Sequence, residues 1–79
     1  MNNPFPNPPT DLLEALAEIE HEQWMHWSRA VEPDVPNDIR LRWRRSWLKY
    51  ADLTDELKEA DRVWARKVLA LLRQRQLLP

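Results

Sequence analysis

The placement of proline and the absence of glycine constrain this chain more than any other feature. Four of its seven prolines fall in the opening "MNNPFPNPP", two are Pro33 and Pro36, and the last is Pro79. Proline lacks a backbone donor and fixes φ, so a helix interior rejects it. Residues 1–9 are therefore expected as an extended arm, with Phe5 available to dock it. "VEPDVPND" is expected to end one helix before the next begins. There is no glycine. A phosphate loop or dinucleotide-binding turn needs glycine where backbone approaches phosphate, so both are excluded.

Between these breaks the pattern is helical. Thr10 is a suitable N-cap, with Asp11 and Glu14 in the first turn, and a helix is expected over about 10–30. Leu12, Leu13, Leu16, Ala17, Ile19, Trp24, Trp27, Ala30 and Val31 share one arc of its wheel, interrupted by Glu20. Asn37 or Asp38 can cap a second helix over about 38–48, "IRLRWRRSWLKY". Ile39, Trp43 and Trp47 share a face there, although Ile39, Leu41 and Trp43 also alternate like a strand. Thr54 caps a third helix over about 54–76. Its stripe is Leu57, Ala60, Trp64, Val68, Leu71 and Leu72, into which Asp61 intrudes. The fold expected is all-α: two long helices packed as a hairpin, a shorter Arg/Trp-rich middle helix and the proline arm. Residues 10–79 form one domain, and Trp64 is expected inside it.

At 79 residues the core lies near the minimum that folds alone. No cysteine is present, which removes disulfides and thiolate metal sites. No apolar run approaches a membrane span and no signal peptide is visible, so a soluble cytoplasmic protein is expected. Charge is unevenly spread. Residues 1–38 hold eight acids and one base, 39–51 hold five bases and no acid, and 52–79 hold five acids and six bases. Such blocks complement each other within a fold or across an oligomer, and a basic block can also hold an anion.

"HEQWMHW" carries the densest chemistry. A zinc-protease helix places two histidines four residues apart on one face. His21 and His26 are five apart, which turns the rings about 140° away from each other. No third ligand is apparent, so no metal is expected. Ser28 and Ser46 stand in no recognisable base arrangement, and without cysteine nucleophilic catalysis has no candidate. A non-enzyme without cofactor is expected. Glu20 and Asp61, inside apolar arcs, are each expected to have a cationic or hydrogen-bonding partner, because an unpaired buried carboxylate is costly.

Set side by side, "LLEALAEIEHEQW" and "WLKYADLTDELKEADRVWARKVLALL" resemble the ryanodine-receptor (RyR) domain family. Its first motif, L-A-x-x-x-H-E-x-W, is matched by Leu16, Ala17, His21, Glu22 and Trp24. Its second, P-Y-x-x-L-x-x-x-x-K-x-x-D-R-x-x-A, is matched by Tyr50, Leu53, Lys58, Asp61, Arg62 and Ala65. The resemblance covers about residues 12–78. Lys49 stands where the family has proline, and the family's glycine-bearing G-W-x-x-G loop has no counterpart. The resemblance implies an all-helical fold and a small stand-alone module of bacterial or phage type. It further implies that the chain senses or sequesters a nucleotide or nucleotide-derived signal.

Each candidate contact has two readings. His21 can touch a base edge, or bond a backbone carbonyl or Asp61. Trp24 can stack on a ligand or pack in the core, and Trp27 is expected in the core. Trp43 and Trp47 can offer stacking surface or pack on the long helices. Tyr50 belongs to the family motif. Arg62 can clamp a phosphate bidentately, and Arg40, Arg42, Arg44 and Arg45 can meet phosphates or the acidic first helix. The partners expected are a nucleotide-like small molecule and a second copy of the chain. The alternative is a protein-interaction or oligomerising module with no small ligand. Near-neutral charge and the acidic first helix argue against nucleic acid, and no membrane partner is expected.

Overall fold

A computed structural model describes residues 8–78. Three α-helices and two short 3-10 turns make up the described chain: α1 (Pro8–Val31), the turn Glu32–Asp34, α2 (Asn37–Arg45), the turn Tyr50–Asp52, and α3 (Asp55–Gln74). The fold is all-α, with two long helices and a short one between them, and no described residue is in a strand. No helix among the described residues is long and apolar enough to cross a membrane.

The helix ends follow local chemistry, with three departures from expectation. α1 starts at Pro8 rather than Thr10. Proline fits the first turn of a helix because that N–H has no intrahelical acceptor to lose. Pro8 and Pro9 are thus helical, Thr10 lies within the helix rather than capping it, and the rest of the expected arm, 1–7, lies outside the described residues. α2 is capped by Pro36, not by Asn37 or Asp38. The extended backbone of Pro36 lets its carbonyl accept from the N–H of Ile39 at 3.1 Å and of Arg40 at 3.0 Å. α2 also stops at Arg45, so Trp47 lies beyond it rather than on its face. α3 begins as the sequence indicates: Thr54 Oγ1 accepts from Leu57 N–H at 3.3 Å. Its other end closes in a Schellman motif. Leu77 N–H bonds Leu72 O at 2.8 Å and Gln76 N–H bonds Arg73 O at 3.0 Å. The turn forces Gln76 to φ 58°, a left-handed conformation that glycine adopts without cost.

α1 and α3 lie side by side. His21 faces Asp61, while Ala17, four residues earlier, shares the core with Ala65, four residues later. The pair is therefore antiparallel. Ala17 and Ala65 are both fully buried, and Tyr50 and Leu53 from the connecting segment complete the cluster, with Leu13 and Leu16 against its edge. Small side chains at a crossing let the axes approach, and that closeness selects which faces meet.

It selects different faces from those the apolar arcs suggest. On α1 the buried positions are Ala17, His21 and Ser28. Ile19 and Trp27, expected inside, are exposed, Trp27 by 53%. On α3 the buried positions are Ala65 and Leu69. The stripe residues Leu57, Trp64, Val68 and Leu71 face outward, Trp64 by 55%, which overturns its expected burial. The buried line on α1 tolerates a histidine and a serine because both find backbone partners. Large apolar side chains are thus left on the flanks of the hairpin.

Candidate ligand-binding groove

His21 organises the seam between the helices. It is 3% exposed, and its Nε2 lies 2.6 Å from the Leu48 carbonyl oxygen. A carbonyl can only accept, so Nε2 carries the proton and donates. That bond ties the segment after α2 to the middle of α1. Nδ1 is left facing Asp61 Oδ2 at 3.6 Å, beyond hydrogen-bond range. Burial pushes the Asp61 carboxyl above the usual carboxylate range. The His21 ring opposes that rise and the nearby Glu20 charge adds to it.

Around this pair the aromatic side chains brace one another. The His21 ring stacks on Trp24 at 5.9 Å between centroids and 22° between planes. Trp43 meets Trp24 edge-on at 6.1 Å and 78°, and tilts against Trp27 at 5.5 Å and 52°. Edge-to-face contact at such distances suits the ring quadrupole. Trp47 is pinned elsewhere: its Nε1–H donates to Ser28 Oγ at 3.0 Å, and the Ser28 hydroxyl donates to the Met25 carbonyl at 3.2 Å. The Arg29 guanidinium sits 5.5 Å from the centre of the Trp47 ring.

Between α1 and α3 this framework leaves an open groove of about 450 Å³. Trp24 and Trp27 come from α1 and Trp64 from α3, while Glu20 and Asp61 bring carboxylates from the two sides. No lysine or arginine lines it among the described residues. The volume falls in the range of small-molecule sites, and aromatic walls with a few polar groups are the usual composition of such sites. Glu20 lacks the partner expected for it: among the described residues its carboxylate makes no hydrogen bond or ion pair. It is only half-buried at the groove, so water or a ligand can satisfy it.

The structure distributes the candidate residues among three places. His21 and Trp24 line the groove, and Trp43 supports its wall from behind. Tyr50 and Arg62 belong to a separate network. The Tyr50 hydroxyl donates to Glu14 Oε2, and Arg62 Nε donates to Glu14 Oε1 at 3.0 Å, with its Nη2 2.7 Å from the same oxygen in an ion pair. Arg62 also reaches Asp55 at 3.1 Å and Glu59 at 3.6 Å. Burial pushes Glu14 up, but hydrogen bonds from Arg62 and Tyr50, with the Arg62 and Lys58 charges, hold its carboxyl below the usual value. Burial first, and then the Glu14 hydrogen bond and charge, push the Tyr50 phenol up to about 12. This arginine has three carboxylate partners and sits in a structural clasp rather than in the groove.

The basic block splits in two. Arg44 donates to Glu32 at 3.2 and 2.6 Å, and Arg40 approaches the same carboxylate at 3.5 Å. These arginines meet an acid just past α1. Arg42 and Arg45 are exposed and make no ion pair among the described residues. His26 is exposed, and no group of three or more metal-ligating side chains is brought together among the described residues.

Comparison with known proteins returned no match to a family model, a curated protein or a solved structure. The groove residues that sequence reasoning misplaced are Trp27 and Trp64, which act as walls rather than core. A signal for them was present: Glu20 and Asp61 interrupt the very arcs that carry these tryptophans, and carboxylates do not belong on a sealed interior face.

Proposed function

We propose that the chain is a non-enzymatic ligand-binding module whose groove holds a flat nitrogen-bearing ring, as in a nucleotide-derived signal. The observation that carries this reading is the meeting of Trp24, Trp27 and Trp64 with two carboxylates around one open groove. Stacking on an aromatic side chain contributes about 1–3 kcal/mol per base and tolerates any base. A carboxylate accepts hydrogen bonds from ring N–H and exocyclic amino groups, which gives the flat ring an orientation. The RyR-like motif residues His21 and Trp24 both line the groove, and this supports the same reading.

The electrostatics revise which part of a nucleotide is recognised. A phosphate inside the groove would face Glu20 and Asp61 with no cation among the lining residues. The ring therefore enters and any phosphate stays outside the groove. Titration of free bases, nucleosides, nucleotides, cyclic nucleotides and ADP-ribose forms, followed by tryptophan fluorescence and calorimetry, tests this. Nucleosides should bind at least as tightly as their monophosphates. Silence across the whole panel removes the ligand reading.

A further inference from the structure

The acids of the groove lack the bases that would balance them. Glu20 enters from α1 and Asp61 from α3, and among the described residues no lysine or arginine lines the space. Other bases are committed elsewhere: Arg62 to Glu14 and Arg66 to Glu59, Arg40 and Arg44 to Glu32. The Asp61 side chain is 16% exposed, so water reaches it poorly. His21 Nδ1 stands 3.6 Å away, too far for a hydrogen bond to compensate it. Burial pushes the Asp61 carboxyl up, His21 opposes the rise and the Glu20 charge adds to it. That direction is the mark of negative charge short of compensation. The walls beside these carboxylates are the indoles of Trp24, Trp27 and Trp64. Tryptophan is the best aromatic partner for a cation, because its ring quadrupole is negative over the face. Trp64 already holds one: the Lys67 ammonium lies 4.5 Å from the centre of its ring, and Lys67 is not among the groove residues.

We infer that the ring held in the groove is itself positively charged: a pyridinium, or an N-alkylated or protonated base, in preference to its neutral counterpart. The inference rests on the ring reading above and adds the charge of the ligand to it. A neutral ring would take water from Glu20 and Asp61 and return only hydrogen bonds, leaving two partly desolvated charges. A cationic ring returns the hydrogen bonds and neutralises charge as well. It also gains from the indole faces, and cation–π attraction strengthens as water is excluded. A flat cation covers more of an indole than a tetrahedral ammonium does, so the ring and its charge act together.

Calorimetry at neutral pH and low salt, on pairs that differ in charge at nearly constant shape, tests it. The pairs are nicotinamide with N1-methylnicotinamide, and adenosine with 1-methyladenosine, which is protonated at neutral pH. Tetramethylammonium supplies charge without a ring. The charged member of each pair should bind roughly tenfold tighter or more, the scale of a desolvated cation–π contact. Tetramethylammonium should bind more weakly than N1-methylnicotinamide. Glu20→Gln replaces a half-buried side chain that has no partner among the described residues, so native circular dichroism is expected. It should lower the charged-to-neutral ratio severalfold, and Asp61→Asn should do the same. Charged rings that bind no tighter than neutral ones overturn the inference and leave the ring reading in place. Silence from both pairs overturns both. Tetramethylammonium binding as tightly as N1-methylnicotinamide gives the groove to an alkylammonium and overturns the charged ring. An unchanged ratio in both folded variants overturns the role of the carboxylates.

Discussion

Tyr50→Phe removes one oxygen from a side chain that is only 8% exposed. It deletes the hydrogen bond to Glu14 and leaves the ring in place. A hydrogen bond to a charged group contributes about 1.5–3 kcal/mol. The Glu14 side chain is 37% exposed, so water replaces part of the loss, and its other oxygen keeps Arg62. The low end applies, a cost of about 1.5 kcal/mol, or a fall in Tm of roughly 6–12 °C for a chain of this size. The effect depends on pH with a defined sign. The folded-state pKa of Glu14 is lowered from 4.5, so the folded chain favours the carboxylate. The stability this contributes is present above the unfolded value and is lost as pH falls through the folded one. Urea unfolding of parent and variant, at one protein concentration, at neutral pH and well below pH 4.5, provides the measurement. The difference should be full at neutral pH and shrink in acid. In a Glu14→Gln background Tyr50→Phe should cost less, as a double-mutant cycle reports. A variant as stable as the parent at neutral pH, or a difference of equal size at both pH values, refutes the assignment.

Gln76→Gly should raise stability by about 1 kcal/mol, because Gln76 holds a left-handed φ that penalises a Cβ; an unchanged or lower urea midpoint contradicts the Schellman end. Trp64→Ala should cost about 1–2 kcal/mol rather than the roughly 3–5 of a buried tryptophan; a larger loss under conditions where the chain is a monomer would place Trp64 inside the core. Ser28→Ala leaves the Trp47 Nε1–H without its acceptor and should cost about 1 kcal/mol; no change in a thermal melt would mean that water replaces the serine. Arg62→Ala should lower stability through the loss of its pairing with Glu14 and leave nucleoside affinity unchanged; intact stability with weakened binding would return Arg62 to the ligand.

The helices were legible in the sequence because their signals are local. Proline placement and the Thr54 cap gave three helices whose ends lie within a few residues of those observed. Which face of each helix turns inward was not legible. Periodicity shows that Ile19 and Trp27 share an arc, but not that Ala17 and Ala65 allow a closer approach on the neighbouring face. Beyond the local Met25 carbonyl that takes the Ser28 hydroxyl, the partners of His21 and Ser28, Leu48 O and Trp47 Nε1–H, come from a segment distant in sequence. No window centred on α1 contains them. Arg62 illustrates the same limit, since its partner Glu14 is 48 residues away. The groove itself left a trace, in the two carboxylates that interrupt apolar arcs.

Calorimetric titration of Trp27→Ala with whichever nucleoside binds the parent best isolates the groove from the fold. Trp27 is half-exposed, so its removal leaves helix content and the His21–Leu48 tie intact. It also takes one wall from the groove. Affinity should fall by roughly ten- to a hundredfold, the equivalent of one stacking contact, with native circular dichroism. Affinity equal to the parent's in a folded Trp27→Ala variant would contradict a ring held between the tryptophans of α1 and α3.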